Sequence, residues 1–265
     1  MPATGKQSLI VALDVPTVDK ALETVETLGD TVSFYKIGLQ LFLTGGLPRL
    51  LSELSEKEVF VDLKVPGDIS NTISSVIELC VAMKVRFLTL SESMPNSTVT
   101  VARDARNRQS SIYPRLLTVP FISSLNRDDL KTIHKTDDLD GFIIDRAKAA
   151  LAAGCDGIIA SGEEIRLCRS AFPDTIIVSP GIRPKGTKSD DHKRFTTPQE
   201  AILMGSDYLV VGRPILTAAS PDSMAREIIN DIESALAEKN RGNSAGPASS
   251  SPHSSHSAAA PVSAI

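Results

Sequence analysis

A closed (β/α)₈ barrel is the fold class this sequence predicts, and three observations predict it. Eight short, β-branched apolar runs alternate with amphipathic stretches across residues 8–238. The runs are almost continuously apolar, as suits parallel strands covered on both faces. The turn after the first run reads LDVPTVDK, without glycine. An open doubly wound sheet more often carries a G-x-G-x-x-G turn there, so the closed barrel is favoured over it.

The strands are read at 8–14 (SLIVALD), 32–38 (VSFYKIG), 59–64 (VFVDLK), 86–92 (RFLTLSE), 114–122 (PRLLTVPFI), 156–161 (DGIIAS), 175–181 (TIIVSPG) and 207–213 (DYLVVGR). In 17–28, Val18, Ala21, Leu22, Val25 and Leu28 share one helical face, and Thr17 precedes them as an N-cap. Similar patterns predict helices near 40–54, 70–84, 96–107, 138–153, 163–171, 197–204 and 221–237. Pro198 and Pro221 sit near helix starts, where a missing N–H does no harm. Residues 124–138 form a long polar connection with room for a small extra helix. Residues 239–265 are rich in Ser, Ala and Pro and cannot bury enough apolar surface to offset ordering entropy, so a disordered tail is expected there. His253 and His256 are incidental to it. The chain therefore reads as one domain, 8–238, and a tail.

Composition narrows the function. The chain is 42% hydrophobic and 23% charged, in the range of soluble globular proteins. A net charge of −4 without a basic stripe argues against nucleic-acid binding. The first residues, MPATGKQ, lack the apolar core of a signal peptide. No apolar run reaches the roughly 18 residues needed to span a bilayer, so a cytoplasmic location is expected. Cys80, Cys155 and Cys168 are an odd number at wide spacing with no CxxC pair. They read as reduced, mostly buried thiols.

In such a barrel the chemistry sits at the C-terminal ends of the strands. The runs lead to Asp14, Lys36, Asp62 and Lys64, Ser123 and Ser124, Gly181 and Arg183, and Gly212 and Arg213. Singly, each has a plain structural explanation: Asp14 as a helix cap, Lys36 snorkelling to the rim, Asp62 and Lys64 as an ion pair, the glycines as turn formers. Gathered on one rim, they would be costly to desolvate without a purpose. The period of two puts Asp62 and Lys64 on one side of their strand and Leu63 on the other. Pro66 and Gly67 break the strand before Asp68, which is expected to begin the next helix and reach sideways, toward a second subunit. Gly181 and Gly212 let backbone N–H groups approach an anion, and Arg183 and Arg213 add charge. The loops after strands seven and eight are the common phosphate site of this fold.

The segments ALD (Asp14), YKIG (Lys36), DLK…DISNT, SPGIR and GSDYLVVGR occur in the order found in the orotidine 5′-phosphate decarboxylases, and the chain resembles that family over about residues 8–238. The resemblance implies a homodimeric barrel that uses no cofactor and no metal. It implies conversion of orotidine 5′-phosphate to UMP and CO₂, the last step of de novo pyrimidine synthesis. Asp14 and Lys36 are then expected to hold the ribose hydroxyls, with Lys36 also in the charged network. Asp62 is expected against the substrate carboxylate, and Lys64 is expected to protonate C6. Asp68, Ile69 and Thr72 are expected to come from the partner subunit. Ser123 is expected to read the pyrimidine, and Arg183, Gly212 and Arg213 to grip the phosphate together with the Gly181 loop. Two departures stand out. The family spacing is Asp-x-Lys-x-x-Asp, and here one extra residue precedes Asp68, to be absorbed as a bulge at Pro66-Gly67. A family Gln in the loop after strand seven is replaced by His192, which can donate a similar hydrogen bond but titrates near neutrality. Two other functions remain open: a related sugar-phosphate decarboxylase such as one acting on 3-keto-gulonate 6-phosphate, and a non-catalytic nucleotide-binding barrel.

Overall fold

Each of the eight apolar runs forms a strand: β1 Leu9–Ala12, β2 Phe34–Gly38, β3 Glu58–Val65, β4 Phe87–Leu90, β5 Arg115–Thr118, β6 Gly157–Ile159, β7 Ile176–Ser179 and β8 Tyr208–Val211. All pair in parallel, each with its sequence neighbour, and β8 pairs with β1 to close the barrel. The computed structural model describes residues 2, 4–91, 93–122, 125, 127–185 and 196–244.

The helices follow local signals. In α2, Val18–Leu28, the Thr17 hydroxyl accepts from Lys20 N at 3.2 Å. The stretch expected as one helix over 40–54 is two, α3 Leu39–Leu43 and α4 Leu47–Glu53. The break falls at Gly45 and Gly46, where Gly45 takes φ +74, a value costly for a residue with a Cβ. The expected α5 Ser70–Ala82 and α6 Asn96–Arg108 follow, and the extra helix in the polar connection is α7 Arg127–His134. Next come α8 Leu139–Ala153, α9 Glu164–Ala171 and α10 Pro198–Met204, the last opened by a capping box between Thr197 and Glu200. Two short helices, α1 Gly5–Ser8 and α11 Arg213–Leu216, have no hydrophobic period to announce them. The final helix, α12 Pro221–Ser244, packs against α1, α2, α10 and α11. It runs past 237 and takes in residues 239–244 of the stretch expected as tail, because its charged turns need no burial to continue a helix already anchored at Ala225, Ile228, Ile232 and Ala235. His253 and His256 lie outside the described residues. Among the described residues no helix is long and apolar enough to cross a membrane.

Strand alternation sorts the core into two layers. Leu9 and Val11 face the helices, while Ile10 and Ala12 face the barrel axis with Phe34, Phe60, Phe87, Leu117, Val178, Tyr208 and Val210. Aromatic rings plug the N-terminal half of the barrel. Phe87 meets Phe60 edge-on at 5.8 Å and Tyr208 edge-on at 5.0 Å, contacts worth about 0.5–1.5 kcal/mol each beyond their burial. Two residues further along each strand, this inward row becomes the site: Ile10–Ala12 leads to Asp14, Phe34 to Lys36, Phe60 to Asp62, Phe87 to Thr89, and Val210 to Gly212.

Cys80, Cys155 and Cys168 are free and buried. Burial pushes each thiol up to about 12, so all three are protonated at neutral pH and poor nucleophiles.

Candidate active site

A cavity of about 200 Å³ opens at the C-terminal rim. It is lined by Asp14, Lys36, Asp62 and Lys64 on one side and by Gly181, Arg183, Gly212 and Arg213 on another, with apolar walls from Phe60, Val119, Ile122, Ile159 and Val210.

The ionic side is a chain of alternating charge. Lys36 Nζ lies 3.4 Å from Asp14 Oδ1 and 3.4 Å from Asp62 Oδ2. Lys64 Nζ lies 3.0 Å from Asp62 Oδ1. Lys36 and Asp62 are enclosed, whereas Asp14 and Lys64 face the opening. Burial acts to raise the Asp62 carboxyl. The attraction of Lys36 and Lys64, with hydrogen bonds from Lys64 and Thr89, outweighs it and holds the group below the ordinary carboxylate range. Asp62 is therefore an anion between two cations at neutral pH.

Asp62 and Lys64 share the inner side as strand alternation predicts, and Leu63 packs outward into the helix layer. The backbone that achieves this is not a regular strand. Val61 pairs with Leu88 and Val65 with Leu90, so the three residues 62–64 face the single residue Thr89. Lys64 takes φ +49. The left-handed region costs a non-glycine residue roughly 1–2 kcal/mol. A register shift thus lies inside β3, before Pro66-Gly67. A glycine is not required at 64 because the Lys64 N–H donates to Thr89 Oγ1 at 2.9 Å and stabilises the turned backbone.

Asp68, Ile69 and Thr72 are exposed and do not line the cavity. Asp68 does not begin the next helix. Its Oδ1 accepts from Ile69 N at 2.6 Å, and α5 starts at Ser70 with Ile69 as cap. Ile69 is 69% exposed.

On the adjoining side, formed by the ends of β7 and β8, Gly181 takes φ +77 and lines the cavity. Arg183 is buried, its N–H donating to Thr196 O at 3.0 Å and Nη1 to Ile182 O at 2.9 Å. Gly212 caps α11. A Cβ there would stand 3.3 Å from Ala12 Cβ and 3.5 Å from Asp14 Oδ2, so glycine preserves the close approach of β8 to β1 beside the acid. Ser123 and His192 lie outside the described residues.

Sequence reasoning passed over the apolar walls and Thr89. The walls look like any barrel core in sequence. Thr89 did leave a signal: it is the polar residue of RFLTL, on the inward alternate after Phe87.

Fold and site together define a (β/α)₈ barrel protein with a charged cavity at the C-terminal mouth. The family model described as orotidine 5′-phosphate decarboxylase / HUMPS family matches residues 7–228. This chain belongs to that family. The orotidine 5′-phosphate decarboxylase of Rhodopseudomonas palustris (strain BisB5) is 41% identical over 233 residues, covering 87% of this chain and 96% of the relative. That of Methylococcus capsulatus is 40% identical over 240 residues, covering 89% and 96%. The crystal structure of orotidine 5′-phosphate decarboxylase from Lactobacillus acidophilus superposes with a TM-score of 0.72 at 28% identity, covering 84% of this chain and 98% of that one.

Proposed function

We propose that this chain converts orotidine 5′-phosphate to UMP and CO₂, the closing step of de novo pyrimidine synthesis, in the cytoplasm and without cofactor or metal. One observation carries the reading: the same cavity is lined by the Asp14–Lys36–Asp62–Lys64 chain and by Gly181, Arg183, Gly212 and Arg213. Such a cavity suits a ligand with a phosphate at one end and a reacting carboxylate at the other. Arg213, with Arg183 and the Gly181 and Gly212 backbones, grips the phosphate. Asp14 and Lys36 hold the ribose hydroxyls. The substrate carboxylate lies against Asp62. The C6–CO₂ bond breaks, its electron pair stays on C6, and the Lys64 ammonium stabilises that pair and gives it a proton. Lys64 then recovers its proton from solvent. Asp62 aims the Lys64 ammonium through their 3.0 Å ion pair.

A homodimer completes the site in this reading. Asp68, Ile69 and Thr72 stand outside their own cavity, and the exposed Ile69 suits burial against a partner. Ser123 contacts the pyrimidine, and His192 bridges base and phosphate.

The purified protein is expected to form UMP from orotidine 5′-phosphate in the presence of EDTA, followed by loss of the substrate's ultraviolet absorbance. No UMP under those conditions sinks the proposal, and a metal requirement points to the sugar-phosphate branch, whose metal-binding acid would stand where Lys36 does. Tight UMP binding without turnover would mark a nucleotide sensor, the reading that the extra residue before Asp68 favours. Arg213→Ala is expected to lower kcat/KM by about 10²-fold, since phosphate binding energy is used at the distant reacting carbon. Addition of phosphite with truncated orotidine should then stimulate the parent more than the variant.

A further inference from the structure

We propose that Thr89 is a positioning residue of this site: its hydroxyl ties the Asp62 carboxylate to the Lys64 backbone and so sets where the Lys64 ammonium stands. The inference rests on the decarboxylase reading for its kinetic consequence, but its geometry is independent of that reading. Thr89 sits in the middle of β4 and is only 1% exposed. Its Oγ1 accepts from Lys64 N at 2.9 Å and lies 2.9 Å from Asp62 Oδ1. A hydroxyl has one proton and two lone pairs. The Lys64 N–H can only donate, so it takes a lone pair, and the hydroxyl proton is directed to Asp62. One atom thereby bridges both ends of the three-residue arc that bulges out of the β3–β4 ladder. That bulge removes a ladder partner from the Lys64 N–H, and Thr89 replaces it. The Asp62 Oδ1 atom that Thr89 binds is the same atom that holds Lys64 Nζ at 3.0 Å. Thr89 does not line the cavity, so it acts through these two residues and not on the ligand.

The test compares Thr89→Val, which keeps the shape and deletes the hydroxyl, with Thr89→Ser, which keeps the hydroxyl. Thr89→Val is expected to lower kcat on orotidine 5′-phosphate by about 10–100-fold with KM within about threefold, because the reacting groups are misplaced while the phosphate cradle is untouched. Thr89→Ser is expected to stay within about threefold of the parent. By NMR, the Lys64 amide should exchange with solvent about tenfold faster in Thr89→Val and at the parental rate in Thr89→Ser. Should Thr89→Val fail to fold, Thr89→Ala deletes the same hydroxyl without adding an atom and carries the same expectations. A parental kcat in the folded valine or alanine variant overturns the proposal, as does a serine variant as impaired as the valine one. A parent inactive on orotidine 5′-phosphate would defeat the functional reading instead. Lys64 exchange then decides: an unchanged rate without the hydroxyl overturns the tie, and a faster one supports it.

Discussion

Lys64→Ala is expected to lose turnover on orotidine 5′-phosphate by roughly 10⁴-fold, the combined scale of a missing proton donor and a missing fixed cation. The same variant should melt close to the parental temperature. The Lys64 side chain faces the cavity mouth and, among the described residues, pairs ionically with Asp62, so truncation removes little packing. The features that shape the backbone survive, because the bond to Thr89 comes from the Lys64 main chain. Asp62 keeps Lys36 as a counterion. Steady-state kinetics and a thermal melt followed by circular dichroism check both halves. Parental turnover in a folded Lys64→Ala protein would remove Lys64 from the mechanism.

Asp62→Asn is expected to lower kcat by about 10²–10³-fold, since it deletes the charge that holds the neighbouring ammonium in place at 3.0 Å. It should also destabilise the fold at pH 7 by roughly 1–3 kcal/mol, because Lys36 and Lys64 are left facing an amide. The pH dependence distinguishes this from a packing effect. The folded-state pKa of Asp62 lies below its unfolded value. The stabilisation from its charge is therefore present above the unfolded pKa, about 3.9, and is lost as the pH falls through the folded pKa. The gap in urea stability between parent and variant should shrink on acidification below about pH 4. An equal gap at pH 7 and at pH 3 would show that charge is not the cause.

The barrel was legible because its signals are local. Eight apolar runs and the amphipathic stretches between them specify eight parallel strands, and Thr17 and Pro198 mark helix starts through their own backbone preferences. The inward-facing charges were legible for a related reason. Asp14, Lys36 and Asp62 continue the inward alternation of Ala12, Phe34 and Phe60. The split of 40–54 into α3 and α4, the reach of α12 to Ser244 and the short α1 and α11 were less so, since neighbours rather than periodicity decide them.

Strand count, parallel order and the charged face of each strand follow from residue order, because a period of two and a period of 3.6 are properties of the chain alone. How Lys64 meets Asp62, through a left-handed backbone and a bulge opposite Thr89, and the separation of Asp68, Ile69 and Thr72 from the cavity of their own chain emerge only once the barrel is assembled. Those outcomes depend on which residue of β4 lies against which residue of β3. Register between strands is set by the packing of the whole barrel and leaves no pattern in either strand taken singly.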